Sequence, residues 1–353
     1  MQIIELSDYN IYVGEPWAEL ISFLREKDYS SHFVLVDENT RTHCLPLLLD
    51  NVPGLDFQII EIASGEIHKH IGTCQTIWGE LMAGKADRQS LLLNLGGGVI
   101  GDMGGFCAAT FKRGMDFVQM PTTLLSQVDA SIGGKLGVDF QQVKNSVGVF
   151  RNPQAVFVYP DFIKTLSFEE TRSGFAEIIK HGLIADHAEW QKIQKISDLN
   201  QVNWTEFIIP SLHVKERIVK EDPFEKGLRK ALNFGHTIGH AIEGHALETD
   251  RPLLHGEAIA AGMIAESFLS HKHAGLAEKT LEQITEFLVN TYDLYPFGKD
   301  LFPIFLNLME QDKKNEKGLI NFSLIPAAGE VLVNQTCSRE EIVEALDYLN
   351  AQV

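Results

Sequence analysis

The sequence predicts an α/β domain built on a doubly wound, mostly parallel sheet, followed by a mostly α-helical domain. Three features of the 353 residues lead to this prediction. Short apolar runs alternate with helix-like segments in the first half, a glycine-rich loop follows one of these runs, and strand-like runs nearly vanish after about Pro160. The chain is also much longer than a usual single domain. We therefore expect one domain over residues 1–160 and a second over residues 161–353.

Four apolar runs predict strands in the first domain. They are Phe33–Asp37, Phe57–Ile62, Leu91–Leu95 and Ala155–Tyr159. Alternation of apolar and polar residues is lost when neither face of a sheet meets water, so such runs suit parallel strands that helices cover on both sides. Between the second and third runs, Lys69 to Ala83 carries apolar residues at helical spacing. This succession of strand, helix and strand is typical of a doubly wound sheet.

Apolar residues repeat at every third or fourth position in the second half. The segments with this spacing are Glu169–Ile184, Leu254–Leu269 and Leu276–Asn290. The longest apolar window, Ala258–Leu269, is interrupted by Glu266 and is shorter than the ~18 residues that a membrane span requires. One strand-like run, Gly318–Ile325, is the main exception to the helical pattern.

The formal charge of −18 argues against several classes of partner. Binding to nucleic acid or to an acidic membrane requires a basic face, which an excess of acidic residues does not provide. We therefore predict no nucleic-acid partner and no membrane partner. If the substrate is an anion, lysines and arginines must gather at the site, because the protein as a whole repels it.

Cysteine usage and the first residues predict a soluble, cytoplasmic protein. The four cysteines form no CxxC pair, which is typical of reduced thiols: Cys44, Cys74, Cys107 and Cys337. The opening residues include Glu5 and Asp8 and no basic leader before an apolar run, so we expect no secretory signal. Any metal must then find nitrogen and oxygen ligands.

A glycine loop follows the strand-like run Leu91–Leu95. The spacing of Gly96, Gly98 and Gly101 matches GxGxxG, a pattern in which the absent side chains let a pyrophosphate approach the backbone amides. The alternative interpretation is a turn that only packs a helix onto a strand. The loop follows a middle strand and not the first, so the pattern does not imply a standard Rossmann unit.

Three later segments are each predicted as a small-residue turn that carries hydrogen-bonding groups. They are PTTLL (121–125), VDASIGGK (128–135) and VKN (143–145). The alternatives are an ordinary helix cap for Thr122 and Thr123 and solvated surface side chains for Lys135 and Lys144. Lys135 directly follows two glycines, so the turn would hold its ammonium group in one place.

A histidine cluster predicts a metal site in the second domain. His236 and His240 stand four residues apart on one predicted helix face, His255 begins another helix, and Glu177 lies in a third. Two imidazoles and one carboxylate with an open position form a common catalytic zinc site. Each histidine taken singly is more typical of a hydrogen-bonded core residue, and only the combination favours a metal site. Spacing nominates His236 with His240, but it leaves open which two histidines bind, and the absence of a glutamate inside the pair excludes an HExxH metalloprotease.

Taken in order, these segments resemble the sugar-phosphate cyclase superfamily, and within it the 3-dehydroquinate synthases, from about residue 33 to about residue 326. The similarity rests on GGGVIGD (96–102), PTTLL (121–125), VDASIGGK (128–135), KNSVG (144–148), AEIIKHGLI (176–184), EKGLRKALNFGHTIGHAIE (225–243) and HGEAIAAGM (255–263). It implies an N-terminal NAD-binding domain, a helical C-terminal domain and a site in the cleft between them. It also implies a homodimer in which Arg113 reaches the neighbour's site.

The resemblance also implies the functional residues. The divalent metal, zinc or cobalt, would be held by Glu177, His236 and His255, while His240 would face the substrate. NAD would contact Asp37, Asn39, Glu66, Lys69, Gly97, Gly98, Val99, Ile100, Gly101, Asp102, Thr122, Thr123, Lys135, Lys144, Phe162 and Thr165. The substrate would contact Arg113, Asp129, Lys135, Asn145, Lys180, Lys215, Glu225, Arg229, Asn233, His240 and either Lys313 or Lys314. The lysines and arginines in this set would attract a carboxylated sugar phosphate although the net charge of the protein is negative.

The implied reaction converts 3-deoxy-D-arabino-heptulosonate 7-phosphate to 3-dehydroquinate and phosphate, with Glu225 and His240 as a proton relay. Small departures from the family pattern, Leu136-Gly137 after GGK and Pro223 beside Asp222, remove no charged or ligating group. Three alternatives stay open: another sugar-phosphate cyclase, an iron-type alcohol or glycerol dehydrogenase, and a dinucleotide-binding regulatory protein without turnover.

Overall fold

The computed structural model describes residues 1–141, 143–247, 249–311 and 320–353. Contacts between backbones divide the chain into two units, one of residues 1–167 with 204–216 and the other of residues 168–203 with 217–353. Each unit is described here by itself. The predicted boundary near residue 160, between a cofactor-binding domain and a metal- and substrate-binding domain, stays a prediction.

The first unit is an α/β unit with the following elements. Its strands are β1 (Gln2–Glu5), β2 (Asn10–Val13), β3 (His32–Asp37), β4 (Phe57–Ile62), β5 (Leu91–Gly96), β6 (Asp116–Pro121), β7 (Lys135–Phe140), β8 (Val143–Phe150) and β9 (Ala155–Val158). Its helices are α1 (Trp17–Glu26), α2 (Glu38–His43), α3 (Leu45–Asn51), α4 (Ile71–Ala83) and α5 (Gly98–Thr110). The four strands predicted from apolar runs are all present, and the helix predicted from Lys69 begins two residues later.

The main sheet of this unit has seven strands in the order β1-β2-β9-β6-β5-β3-β4. Only β1 pairs antiparallel, with β2, and the other neighbours in the sheet are parallel. The chain goes from β3 outward to β4 and then returns to form β5 on the other side of β3. This reversal is a topological switch point, where open parallel sheets bind ligands beyond the carboxyl ends of their strands. The predicted doubly wound, mostly parallel fold is confirmed.

The two faces of the sheet are covered, which explains the continuous apolar runs. On one face, Cys74, Ile77 and Leu81 of α4 pack in a cluster with Phe33 and Leu35 of β3. The opposite face forms a second cluster that includes Leu20 and Leu24 of α1 with alternate residues of the same strand. All six residues of β5 are buried, so neither side of this strand meets water.

The prediction of a turn at Lys144 and Asn145 is wrong. Lys135, which was predicted to lie in a turn, is the first residue of the strand β7. These residues belong to the antiparallel hairpin of β7 and β8. Gly137 and Gly148 face each other across the hairpin, and a Cβ added to Gly148 would lie 2.2 Å from the Leu136 carbonyl oxygen. Here glycine allows two strands to approach closely.

The second unit is mostly helical, as predicted. Its helices are α6 (Phe168–Ala185), α7 (His187–Ile193), part of α8 (Thr205–Glu221), α9 (His236–Ala246), α10 (His255–His273), α11 (Glu278–Thr291), α12 (Phe302–Gln311) and α13 (Arg339–Gln352). The strands β10 (Asn321–Leu324) and β11 (Leu332–Thr336) form an antiparallel pair. The described part of the predicted strand Gly318–Ile325 contains β10. Across the described ranges, no helix combines the length and the apolar character needed to cross a bilayer.

Glycines set the spacing of three helices in this unit. A Cβ added to Gly262 of α10 would lie 1.9 Å from the Gly235 carbonyl oxygen and 2.7 Å from the Gly239 amide nitrogen of α9. A Cβ on Gly256 would lie 2.0 Å from the carbonyl oxygen of Ser173 in α6. These obstacles are backbone atoms, which cannot rotate away. Helices α6, α9 and α10 therefore approach each other more closely than any larger residue would permit.

Replacing Gly262 by Ala is therefore expected to destabilise the protein by about 1–3 kcal/mol, the usual cost of inserting a methyl group into a packed core. Gly244 is a matched control because it lies in α9 and a Cβ there would meet no atom within 4 Å. Gly244→Ala should leave stability unchanged or raise it by up to ~1 kcal/mol. Denaturant unfolding of both variants measures the difference. Equal stability of Gly262→Ala and the unmodified chain would contradict this account of the packing.

Candidate functional site

Glu177, His236 and His255 converge from three helices of the second unit. Glu177 Oε1 lies 3.3 Å from His236 Nε2 and 3.5 Å from His255 Nε2. One donor atom from each residue lies within 4.8 Å of the other two. No described residue donates a hydrogen bond of normal geometry to Glu177 Oε1, although the side chain is fully buried.

The charge of Glu177 is compensated within the same cluster. Burial disfavours a carboxylate, but Lys180 and His236 hold the pKa of Glu177 well below its ordinary value. The Lys180 ammonium, one helical turn further along α6, makes a close ion pair with Glu177 Oε2. The other carboxylate oxygen, Oε1, is thus the one that faces the two imidazoles.

The two imidazoles differ in protonation because their surroundings differ. Burial, followed by the Lys180 ammonium, lowers the pKa of His236 to about 4, so this ring is neutral at pH 7. Burial also opposes the charged form of His255, but the Glu243 and Glu177 carboxylates outweigh it and raise the pKa to about 9. A metal that binds His255 must therefore displace a proton at neutral pH.

Each imidazole has a partner on the nitrogen that points away from Glu177. His236 Nδ1 lies 3.0 Å from the Phe234 carbonyl oxygen, and His255 Nδ1 lies 3.5 Å from Glu243 Oε1. The Phe234 carbonyl favours the tautomer of neutral His236 that leaves Nε2 unprotonated toward Glu177, and Glu243 orients the protonated His255 ring so that its Nε2 also faces Glu177. Metal-bound histidines usually have such outer partners, which fix the ring orientation.

A buried carboxylate from α10 caps the start of α9, where His236 stands. Gly235 precedes this helix with a φ of 78° and provides no capping side chain. Instead, Glu266 Oε2 accepts the Gly235 N–H at 2.7 Å and Glu266 Oε1 accepts the Ile238 N–H at 3.0 Å. A negative charge at a helix N-terminus also interacts favourably with the helix dipole. Glu266 thereby fixes the first turn of α9 and with it His236.

The start of α10, where His255 stands, is fixed against α6. Arg172 Nη2 donates to Glu257 Oε1 at 2.9 Å, and Glu257 Oε2 accepts the Leu254 N–H at 3.0 Å. The Gly256 N–H donates to Ser173 Oγ at 2.9 Å. Since Arg172 and Ser173 lie one turn before Glu177 on α6, these bonds define the separation between Glu177 and His255.

The donor set of this cluster fits a divalent metal with nitrogen and oxygen preferences, such as zinc or cobalt. A second group with the same donor types overlaps it, namely His240, Glu243 and His255. The first group fits better, because its carboxylate oxygen lacks a good hydrogen bond while fully buried. The ring of His240 lies 5.1 Å from that of His236 and 5.9 Å from that of His255, so it stands beside the cluster.

A loop before α9 holds the other predicted residues of this unit. Asp222 accepts the backbone N–H groups of Lys226, Gly227 and Arg229, and Arg229 Nη1 donates to the Pro223 carbonyl at 2.7 Å. The Arg229 side chain is 2% exposed, so its charge is buried in a fixed place.

Asn233 at the end of the same loop contacts Glu225. Asn233 Nδ2 donates to Glu225 Oε1 at 3.0 Å, and Glu225 itself has a φ of 57°. Strained backbone of this kind often marks a functional position. Lys313 and Lys314, between which the sequence did not decide, lie outside the described residues.

In the first unit, the predicted cofactor residues other than Lys135 and Lys144 lie at or just beyond the carboxyl ends of five parallel strands. Asp37 and Asn39 follow β3, Glu66 and Lys69 follow β4, Gly97 to Asp102 follow β5, Thr122 and Thr123 follow β6, and Phe162 and Thr165 follow β9. This is the edge of the sheet at which the switch point predicts a ligand. Gly97 precedes α5, so the glycine loop has the strand–turn–helix context that its spacing predicted.

Some of these residues also have structural contacts. Asp37 Oδ1 accepts the Thr40 N–H at 2.8 Å and thereby caps α2. Thr123 forms reciprocal hydrogen bonds with Ser126, which matches the alternative interpretation as a helix cap. The ring of Phe162 is fully buried against Trp17 in the core, so its side chain is not open to a ligand.

An ionic cluster surrounds the start of α5. Lys69 Nζ lies 2.7 Å from Asp102 Oδ2 and 3.8 Å from Glu66 Oε1, and Lys144 Nζ lies 3.9 Å from the same Glu66 atom. Lys69 is 4% exposed; burial opposes its charge, but Asp102 and Glu66 raise its pKa above the ordinary value. Four residues predicted to contact NAD are thus in mutual contact.

The predicted substrate residues of the first unit are more dispersed. Lys215 Nζ lies 2.7 Å from Asp129 Oδ1, and it also contacts the Asp129 carbonyl. Lys135, Asn145 and Arg113 are exposed, and the last two have positive φ angles of 50° and 71°.

Glu243 and Glu266 are two residues of the second unit that the sequence prediction missed. Glu243 stands seven residues after His236, so both lie on one face of α9, and this spacing could have identified it. Glu266 interrupts the apolar window of α10, and an acid inside such a window requires a buried partner. The sequence thus marks both residues as unusual, but it does not identify the groups that they contact.

Comparisons with known proteins show which family the sequence matches. The family model described as 3-dehydroquinate synthase N-terminal matches residues 59–173, and the one described as 3-dehydroquinate synthase C-terminal matches residues 174–315. A 3-dehydroquinate synthase of Parabacteroides distasonis is 43% identical over 334 residues, which cover 94% of each chain. One from Halorhodospira halophila is 36% identical over 356 residues, which cover 98% of each chain.

The fold is shared with more distant enzymes. The structure of 2-epi-5-epi-valiolone synthase from Streptomyces hygroscopicus, which holds NAD+ and Zn2+, superposes with a TM-score of 0.83 at 23% identity and covers 100% of this chain and 99% of that one. At this identity the likeness concerns the fold alone. The family matches and the curated relatives extend over most of the sequence, and from them it follows that the chain belongs to the 3-dehydroquinate synthase family.

Proposed function

We propose that Glu177, His236 and His255 hold the divalent zinc or cobalt ion, and that the strand ends of the first unit hold the NAD, with which the chain acts as a 3-dehydroquinate synthase. The reaction converts 3-deoxy-D-arabino-heptulosonate 7-phosphate to 3-dehydroquinate and phosphate through transient oxidation, phosphate elimination, re-reduction, ring opening and intramolecular aldol closure. The convergence of two imidazole Nε2 atoms on the buried Glu177 Oε1 is the observation that carries the assignment of the metal.

When bound, the metal supplies Lewis acidity at a substrate hydroxyl, and the dinucleotide takes up and returns a hydride. The residues of the chain bind, orient and stabilise charge around this chemistry. In the second unit, the buried cations Lys180 and Arg229 are suited to the substrate's oxyanions. The planar guanidinium of Arg229 binds carboxylate or phosphate through two parallel hydrogen bonds, and the ammonium of Lys180 acts as a point charge. In the first unit we assign Lys135, Lys215 and Asp129 to the same substrate.

Three further assignments belong to this proposal. His240, which stands beside the metal cluster, and Glu225 are assigned to proton transfer. We also assign a homodimer to which Arg113 contributes, supported by its exposure on a backbone with positive φ, and a cytoplasmic location, supported by four cysteines without a disulfide.

Phosphate release without accumulation of NADH tests the function directly. The chain, supplied with the heptulosonate phosphate, NAD+ and zinc or cobalt, is expected to release phosphate while the absorbance of NADH stays flat, because the hydride is returned in each turnover. Steady formation of NADH would instead indicate a dehydrogenase. Turnover of a sugar phosphate that lacks the carboxylate, in preference to the heptulosonate, would indicate another cyclase of the superfamily.

Metal affinity should depend on pH through His255. Since the pKa of this imidazole is about 9 in the metal-free protein, the protonated ring must lose its proton on binding. The apparent dissociation constant should fall by about tenfold per pH unit between pH 7 and 8.5 and level off above pH 9. Competition with a chromophoric chelator measures this slope.

His255→Ala should lose most of the affinity together with the slope. His271→Ala is the matched control and should behave like the unmodified chain, because His271 is exposed near the far end of the same helix and belongs to no metal-ligand group among the described residues. An affinity that does not change with pH would contradict the role of His255.

Removing Arg229 should weaken transition-state binding. Arg229→Ala is expected to raise the free energy of the transition state by about 2–5 kcal/mol, as is usual when one partner of a desolvated charge pair is lost. This change lowers kcat/KM by at least about 30-fold. Lys230→Ala is the control. It removes a positive charge from the next residue, whose side chain makes an exposed contact with Asn334 and is not assigned to the substrate. Steady-state kinetics compare the two, and an Arg229→Ala variant with unchanged kcat/KM would remove this residue from the site.

A further inference from the structure

The ring of His255 lies between two carboxylates. Its Nε2 is 3.5 Å from Glu177 Oε1, and its Nδ1 is 3.5 Å from Glu243 Oε1. Glu243 is 5% exposed and lies on α9, and Glu177 on α6 is fully buried. A buried carboxylate needs a partner that compensates its charge, and the imidazole of His255 meets this need for Glu243.

The position of Glu243 follows from the helix that also carries His236. These residues stand seven apart, which is about two helical turns, and His240 lies between them on the same face. One face of α9 therefore presents a metal ligand at its first turn and a carboxylate two turns later. Helix α10 brings His255 against this face, and the glycine contacts of Gly262 keep the two helices close.

Glu243 could itself be a ligand, since it belongs to the second possible group with His240 and His255. Two contacts argue against this alternative. A metal at Glu177 uses His255 Nε2, which leaves the Nδ1–H free to donate to Glu243. A metal at Nδ1 would instead lie beside Glu243, on the far side of the ring from Glu177, and the fully buried Glu177 Oε1 would not face the cation.

The outer partners of the two imidazoles differ in kind. The partner of His236 Nδ1 is a neutral backbone carbonyl, whereas the partner of His255 Nδ1 is a carboxylate. A carboxylate raises the basicity of an imidazole ligand more than a carbonyl does, because it carries a full charge. The loss of Glu243 should therefore be felt at the metal.

We propose that Glu243 is a positioning residue that orients His255 and strengthens its bond to the metal without binding the ion. The inference rests on the proposed function, because it takes Glu177, His236 and His255 as the ligands. Its consequence concerns metal binding in the absence of substrate, and so it can be measured apart from turnover.

The test measures the zinc affinity and stoichiometry of purified full-length variants by competition with a chromophoric chelator. Glu243→Gln keeps the size of the side chain and removes its charge, and it should bind one zinc per chain with a dissociation constant raised about 10–100-fold. Glu243→Asp keeps the charge but shortens the reach, and a smaller loss is expected. Glu282→Gln is the control, because it removes one exposed carboxylate from α11 of the same unit.

The thermal stability of the metal-free variants separates positioning from a merely structural role. A structural role would lower the melting temperature of Glu243→Gln and leave its zinc affinity equal to that of Glu282→Gln, and that result would overturn the proposal. Loss of stoichiometric binding in a folded Glu243→Gln protein would also overturn it, by making Glu243 a ligand. An unmodified chain that binds no zinc or cobalt would refute the metal assignment itself, a different failure from equal affinities.

Discussion

A fully buried carboxylate on α6 is the constraint on which the second unit depends. Moving an ionised carboxylate out of water costs several kcal/mol unless cations and hydrogen bonds compensate it. Lys180 compensates one oxygen of Glu177 from the same helix, but the other oxygen faces His236 and His255, which come from α9 and α10. A divalent cation between these three groups would complete the compensation. In the metal-free protein the protonated His255 ring lies beside this oxygen, and a bound divalent cation would take over its role.

The precision of this arrangement comes from backbone contacts and not from long side chains. Gly262 and Gly256 let α10 touch the backbones of α9 and α6, and a methyl group at these positions would lie 1.9 Å and 2.0 Å from a carbonyl oxygen, far inside van der Waals contact. Glu266 and Glu257 then fix the starts of the two helices that carry the imidazoles. A site held by helix ends and close backbones has little freedom to relax, which is what preorganised binding of a small ion requires.

Periodicity and apolar runs predicted most of the fold, because burial on both faces of a parallel sheet has a direct signature in runs such as Phe57–Ile62. They could not predict which imidazoles face Glu177. Spacing along one helix nominated His236 with His240, whereas His255 arrives from another helix whose placement depends on the Gly262 contact. The similarity to a family indicated His255 where spacing could not. The hairpin at Lys144 was missed because the segment VKN (143–145) was interpreted as a turn that carries hydrogen-bonding groups.

The most direct test of the central claim is the position of the metal itself. Crystals of the zinc- or cobalt-loaded protein, measured at the absorption edge of the metal, would locate the ion by its anomalous scattering. Our account predicts one strong peak within about 2.0–2.2 Å of Glu177 Oε1 and of the Nε2 atoms of His236 and His255. A peak bound by His240 and Glu243, or one remote from Glu177, would contradict it.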